Sequence, residues 1–273
     1  MGCGLNYLKI FNAFVSELIS RREIIVEMTK RDFRSKYLGS YLGMLWAFVH
    51  PTVYIVILWF VFSFAFKSQP VNNVPYVFWL TAGIIPWFFF SDALSSATGS
   101  ILENSFLVKK MAFSIGILPL VKLISTLVIH LFFICLLFLM FLVSGIPIPI
   151  HSVQVLYYLT ASLVLLLGLS WLTSSMIIFL RDVGQLVAMA LQFLFWGTPI
   201  FWSIKLLPEP LRPWFKLNPV VYIVEGYRDS LINKVWFWEH WLQTLYFWGV
   251  AGFFLVIGAV VFRRLRPHFA DVL

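Results

Sequence analysis

The stretch LVKLISTLVIHLFFICLLFLMFLV, residues 120–143, decides the fold. It is apolar from end to end, with Lys122 and His130 as its basic side chains and no acidic one. A helix needs about 20 predominantly apolar residues to cross a bilayer, so this run reads as a membrane span. Its hydrophobicity is continuous rather than alternating, which excludes the strand of a membrane β-barrel.

Outward from it, five further runs qualify: 41–66, 76–97, 155–180, 184–203 and 243–262. The run 76–97 is the weakest, interrupted by Pro86 and Asp92 and followed by a Ser-rich end. The run 184–203 is broken by Gly197 and Pro199. The composition agrees with a lipid-borne chain. Of 273 residues, 61% are hydrophobic and only 12% charged, and mean hydropathy is +0.90. A soluble chain carries roughly 25% charge. Burying the 29 Phe, 12 Trp and 10 Tyr in water would need a far larger core. Soluble enzymes, disulfide scaffolds and nucleic-acid-binding modules are thereby excluded. Cys3 and Cys135 have neither disulfide nor metal-ligand spacing. No apolar segment follows Met1, so the first span is expected to set topology.

The expected fold class is an all-α integral membrane protein with six transmembrane helices. Region 1–40 is read as cytoplasmic and interfacial, and 41–273 as the membrane domain. With the N-terminus inside, the inner pieces hold thirteen Lys and Arg and the outer pieces six. That follows the positive-inside rule and puts both termini in the cytoplasm. The clusters Lys30-Arg31-Arg34-Lys36 and Arg263-Arg264-Arg266 flank the first and last spans. Within 8–38, Phe11, Phe14, Val15 and Leu18 repeat at helical spacing, which predicts an amphipathic helix lying in the inner interface. The outer segment 205–240 carries Pro208, Pro210, Pro213 and Pro219. Its piece 220–232 is too short to span and reads as a re-entrant element.

The chain has no G-x-x-x-x-G-K-[ST] phosphate loop and no hydrolase or metalloprotease signature. The five histidines are scattered, so neither a catalytic nor a metal site is expected. Asp92, Lys122 and His130 are ionisable groups at membrane depth, which are functional hypotheses by default. A structural Asp92–Lys122 pair is expected; the alternative makes Asp92 a proton-coupling carboxylate. The loop after the second span, with Glu103, Asn104, Phe106, Leu107, Lys109 and Lys110, fits a headgroup anchor or a docking helix for a cytoplasmic partner. The aromatics Trp46, Tyr54, Trp59, Trp196, Phe201, Trp202, Trp214, Phe215 and Tyr222 fit an interfacial belt or a sliding surface for a glycan.

Four stretches in order carry a resemblance: RDFRSKYLGSYLGMLWAFVHP (31–51), LVKKMAFSIGILP (107–119), RDVGQLVAMALQFLFWGTPIFW (181–202) and LNPVVYIVEGYRDSLI (217–232). Together they resemble the ATP-binding-cassette export permeases for O-antigen, capsule and teichoic-acid polymers. The second stretch has Ser114 where that family commonly has proline.

The resemblance implies a homodimer in the bacterial inner membrane, working with two separate ATPase subunits that bind ATP and Mg. No cofactor is expected in this chain. An undecaprenyl-type lipid-linked polysaccharide, most readily O-antigen, would thread between the two copies. Glu103–Lys110 would meet the ATPase, the first and fifth spans would line the path, and 208–232 would form the outer gate with Trp214, Phe215, Asn218, Pro219, Tyr222, Glu225 and Arg228. The rim of Arg31, Arg34, Lys36 and Tyr37 would attract either the carrier's pyrophosphate or anionic lipid headgroups.

Overall fold

Neither Pro86 nor Asp92 stops residues Tyr76–Glu103 from forming one unbroken helix, and that helix is the axis of the fold. The computed structural model describes residues 20–36, 43–65, 67, 70, 74–109 and 115–273, with backbone alone at Met44 and Lys109. In chain order the described helices begin with α1 (Arg22–Ser35) and α2 (Trp46–Phe60, continued by a π turn, Val61–Ala65). Then come α3 (Tyr76–Glu103), the short α4 (Ser105–Lys109) and α5 (Ile117–Val143). Next are α6 (Val155–Met176) and α7 (Val183–Gly197). The chain closes with α8 (Arg212–Lys216), α9 (Pro219–Arg228, continued by a π turn, Asp229–Asn233), α10 (Trp241–Leu265) and α11 (Phe269–Val272).

Five of these stretches are long and apolar enough to cross a bilayer: Trp46–Ala65, Tyr76–Glu103, Ile117–Val143, Ile150–Met176 and Phe237–Val272. The protein is therefore an all-helical integral membrane protein. The run 184–203 forms only the 15-residue helix α7. At 1.5 Å per residue it rises about 22 Å, short of the roughly 30 Å hydrocarbon core. Thr198 adopts an extended conformation ahead of Pro199 and ends it there.

The packing explains why the run 76–97 looks weak in hydropathy. Helix α3 is buried along most of its length, packed against α5, α6 and α9 and flanked by α2 and α7. A helix surrounded by protein can carry small and hydroxylated residues and a proline. It also extends beyond the expected limit, to Glu103. Helices α2 and α7 are the opposite case, exposed along most of their apolar surface.

Helices α6 and α10 make the most extensive contact of the bundle. Two glycines permit it. A Cβ on Gly168 would strike the backbone of Phe254 and Leu255, and one on Gly258 would strike the carbonyl of Gly168. Between membrane helices, backbone approach through small residues replaces the missing hydrophobic drive.

Helix α1 lies along the start of α5, with Ile25 and Met28 against Ile117 and Val121. The predicted interfacial residues Phe11, Phe14, Val15 and Leu18 lie outside the described residues, as do Tyr37 and Lys110. At this basic end a second apolar cluster joins Ile101, Val108, Trp171, Phe262 and Phe269, so the C-terminal α11 tucks beneath α4.

The expected Asp92–Lys122 pair is corrected. Lys122 Nζ lies 2.6 Å from both Asp32 Oδ1 and Glu103 Oε2, while both Asp92 oxygens accept from Lys36 Nζ at 2.8 Å. The reason is depth. Asp92 stands eleven residues before Glu103 on α3, about 16 Å deeper into the bundle. Lys122, near the start of α5, is level with the end of α3, and α1 inserts its own charges between them.

Candidate functional site

At the end of the bundle opposite α1, the sequence Asn218-Pro219 starts α9 as its residue types predict. The Asn218 side chain accepts from Val220 N–H at 2.9 Å, and proline occupies the first helical position, where no N–H is needed. The same side chain donates from Nδ2 to Thr198 Oγ1 at 2.9 Å, tying the start of α9 to the end of α7.

Arg228, at the C-terminal end of α9, makes the second tie. Its side chain is completely buried, although it is the longest and most polar group in its surroundings. One terminal nitrogen donates to Glu225 at 2.7 Å and to the carbonyl of Pro199; the other donates to the carbonyl of Ile200. Nε points at the Trp79 carbonyl, 3.3 Å away. Guanidinium carbon Cζ stands 3.4 Å from the centroid of the Trp79 ring. A Cβ on Gly83 would collide with the guanidinium, so glycine at that position makes the room. Glu225 and Arg228 stand three residues apart on α9, and their ion pair is made within the helix.

The break after α7 is thus a junction. Arg228 holds the carbonyls of Pro199 and Ile200, Tyr76 donates to the carbonyl of Phe201 at 2.6 Å, and Asn218 holds Thr198. Through these bonds α3, α7 and α9 share one short extended segment. Tyr222, on the opposite side of α9, bonds Tyr157 at 3.0 Å and Thr244 at 2.9 Å, linking α9 to α6 and α10. Tyr227 meets buried His130 of α5 at 2.8 Å, and the His130 ring stacks on Phe89. Asp229 begins the π turn, where burial pushes its carboxyl up and a bond from Asn233 opposes that.

Phe201 has Trp196, Phe195 and Phe62 within 5.7 Å of its ring centre, which joins the far ends of α2 and α7. Trp202 meets Phe215 edge-on at 5.5 Å, carrying the aromatic surface on to α8. Tyr54 packs edge-on against Phe88 of α3. Trp46 stands at the other end of α2 and is exposed, like Trp59, Trp196 and Trp214.

At the basic end, Glu103 closes α3 and Asn104 caps it, donating to the Ser100 carbonyl at 2.8 Å. Helix α4 then turns Phe106 outward, 66% exposed, while Val108 is buried and Leu107 packs beside it on the second cluster. Arg31 and Arg34 are exposed on α1, whereas Lys36 is engaged by Asp92.

The comparisons with known proteins fall on this arrangement. Residues 24–232, from α1 to the π turn after α9, match the family described as ABC-2 type transporter. The chain belongs to the ABC-2 type transporter family. Among the relatives of this ABC-2 protein is an O-antigen export system permease protein from Klebsiella pneumoniae. It is 26% identical, over 92% of this chain and 95% of the relative. One of the same name from Myxococcus xanthus is 24% identical over 94% and 98%. The polysialic acid transport protein of Escherichia coli is 20% identical over 74% and 78%. Family membership meets the expectation drawn from the four quoted stretches.

Two packing partners of α9 escape the sequence reading, Gly83 and Trp79, whereas His130 is singled out there as an ionisable group but not as the partner of Tyr227.

Proposed function

We propose that this chain is the membrane subunit of an ATP-driven exporter that moves a lipid-linked polysaccharide, O-antigen, across the bacterial inner membrane. The observation that carries the reading is the match, end to end, with relatives named O-antigen export permeases. The polysialic acid transport relative supports a capsule polymer as the second reading, over a smaller share of both chains.

The chemistry fits a conduit. With no phosphate loop in the sequence, ATP and Mg belong to two separate ATPase subunits, and this chain carries no cofactor of its own. In this reading α7 is the sixth, shortened span, both termini face the cytoplasm, and α9 is a re-entrant outer gate. Trp214, Phe215, Asn218, Pro219, Tyr222, Glu225 and Arg228 belong to that gate. A second copy covers the apolar faces of α2 and α7 left exposed on the single chain, with the polymer between the two. Leu186, Met189, Phe193 and Trp196 of α7 form one such face, spaced three, four and three residues apart. Trp46, Tyr54, Trp59, Trp196, Phe201 and Trp202 then offer successive weak stacking surfaces. Multiple weak sites let a polymer move on.

Helix α4, with Glu103, Asn104, Phe106, Leu107, Lys109 and Lys110, docks the ATPase in this scheme. Arg31 and Arg34 are the basic rim for the carrier's pyrophosphate; Tyr37, assigned to the same rim from the sequence, lies outside the described residues. A proton-driven carrier through Asp92 is disfavoured because both of its oxygens are taken by Lys36. Cells lacking this chain are expected to hold completed undecaprenyl-linked polymer in the inner leaflet and show none at the surface. Normal surface polymer in such cells would contradict the proposal.

A further inference from the structure

We propose that Lys122 is a positioning residue that passes movement of the ATPase-docking loop to α1 at the substrate entrance. This rests on the reading of α4 as the docking element and of α1 as the basic rim. Lys122 Nζ stands 2.6 Å from Asp32 of α1 and 2.6 Å from Glu103, the last residue of α3 before α4. One cation is therefore shared by two carboxylates on two elements.

The two carboxylates are not equivalent. The side chains of Lys122 and Asp32 are 14% and 15% exposed, while that of Glu103 is 57% exposed. If α4 is pulled, water can receive Glu103 at little cost, but neither Asp32 nor Lys122 can leave the other without stranding a buried charge. Moving Glu103 thus changes how much of the Lys122 charge is available to Asp32. With Glu103 present the lysine divides its field; with Glu103 withdrawn its whole charge falls to Asp32, already in contact at 2.6 Å, and the hold of α5 on α1 tightens without further approach. A second strap, Lys36 to Asp92, fixes α1 to α3 one turn further along. Helix α1 therefore responds as a body rather than fraying at its end.

The test uses the full complex with its ATPase subunits in proteoliposomes and reads polymer exported per ATP hydrolysed. Glu103→Gln is expected to lower that ratio by about fivefold, the lower edge of ordinary coupling between sites, with the amount of assembled complex and its ATP hydrolysis measured alongside so that a docking loss is read separately. Lys122→Gln combined with Glu103→Gln should be no worse than Lys122→Gln alone, because the two act as one unit. If Lys122→Gln fails to assemble, Lys122→Arg replaces it and should retain coupling only while Glu103 is present. An unchanged ratio in Glu103→Gln, or losses that multiply in the double variant, would overturn the proposal. Failure of the native chain to assemble with ATPase subunits would instead overturn the reading beneath it.

Discussion

The guanidinium carbon of Arg228 sits 3.4 Å above the centroid of the Trp79 ring, so the C-terminal end of α9 is anchored inside the wall of α3. The same group donates to the backbone of Pro199 and Ile200, where α7 ends. A cation fully withdrawn from solvent is tolerated because each face and edge of it meets an acceptor, a ring or Glu225. The gate proposed for the far end is thus a bolted structure: motion of α9 either carries α3 and the α7 break along or releases Arg228 together with the Asn218–Thr198 bond.

Arg228→Met is expected to lower the stability of the purified protein by about 3–5 kcal/mol, since it strands Glu225 and three carbonyls. Arg228→Lys keeps the charge but not the planar fork, and should recover only part of that loss. Thermal unfolding in detergent, followed with both variants side by side, measures the difference. Equal stability of Arg228→Met and the native chain would show that the contacts carry no energy.

Gly168→Val should separate α6 from α10, because the added carbons meet the backbone of Phe254 and Leu255. Overpacking of this kind costs about 1–3 kcal/mol, and more where backbone is the obstacle. Gly252→Ala is the control, with open space where its Cβ would stand. The yield of monodisperse protein after extraction distinguishes the two.

Single Ala replacements at Trp46, Trp59 and Trp202 should slow polymer export more than they reduce the amount of protein in the membrane. Trp46 and Trp59 are exposed on α2, so little packing is lost with them. Export assayed against membrane abundance reads the effect, and parallel losses would return these rings to an interfacial belt.

Asp92→Asn removes the partner of Lys36, but both side chains are partly exposed, at 41% and 34%. Such pairs contribute up to about 1 kcal/mol. Export is therefore expected to persist, with a small loss of stability. Abolished export together with intact ATP hydrolysis would reinstate Asp92 as a proton-coupling group.

The parts legible in the sequence are those in which one residue type has one physical use. Residues 120–143 read as a span because nothing else tolerates that apolar run, and α5 covers 117–143. Asn218-Pro219 starts α9 for a comparable reason, the asparagine capping Val220 N–H and the proline having no N–H to lose. The partners of Lys122 and Asp92 were not legible, because their pairing depends on how deep each residue sits after α1 folds back. Lys122 had Asp92 as an obvious candidate among the spans, yet its partners come from α1 and from the last residue of α3. The length of α7 was also hidden: hydropathy continues through Phe201 and Trp202, but the backbone turns extended at Thr198. The pocket for Arg228 depends on Gly83 and Trp79, more than a hundred residues away, and no local pattern links them.

The central claim, a conduit driven by a separate ATPase, is tested most directly by reconstitution. Proteoliposomes are prepared with this chain alone or with its ATPase subunits, loaded with undecaprenyl-linked polymer, and polymer translocation is followed on addition of ATP and Mg. The account predicts translocation only when chain, ATPase and ATP are all present. Translocation by the chain alone, or driven by a proton gradient without ATP, would contradict it.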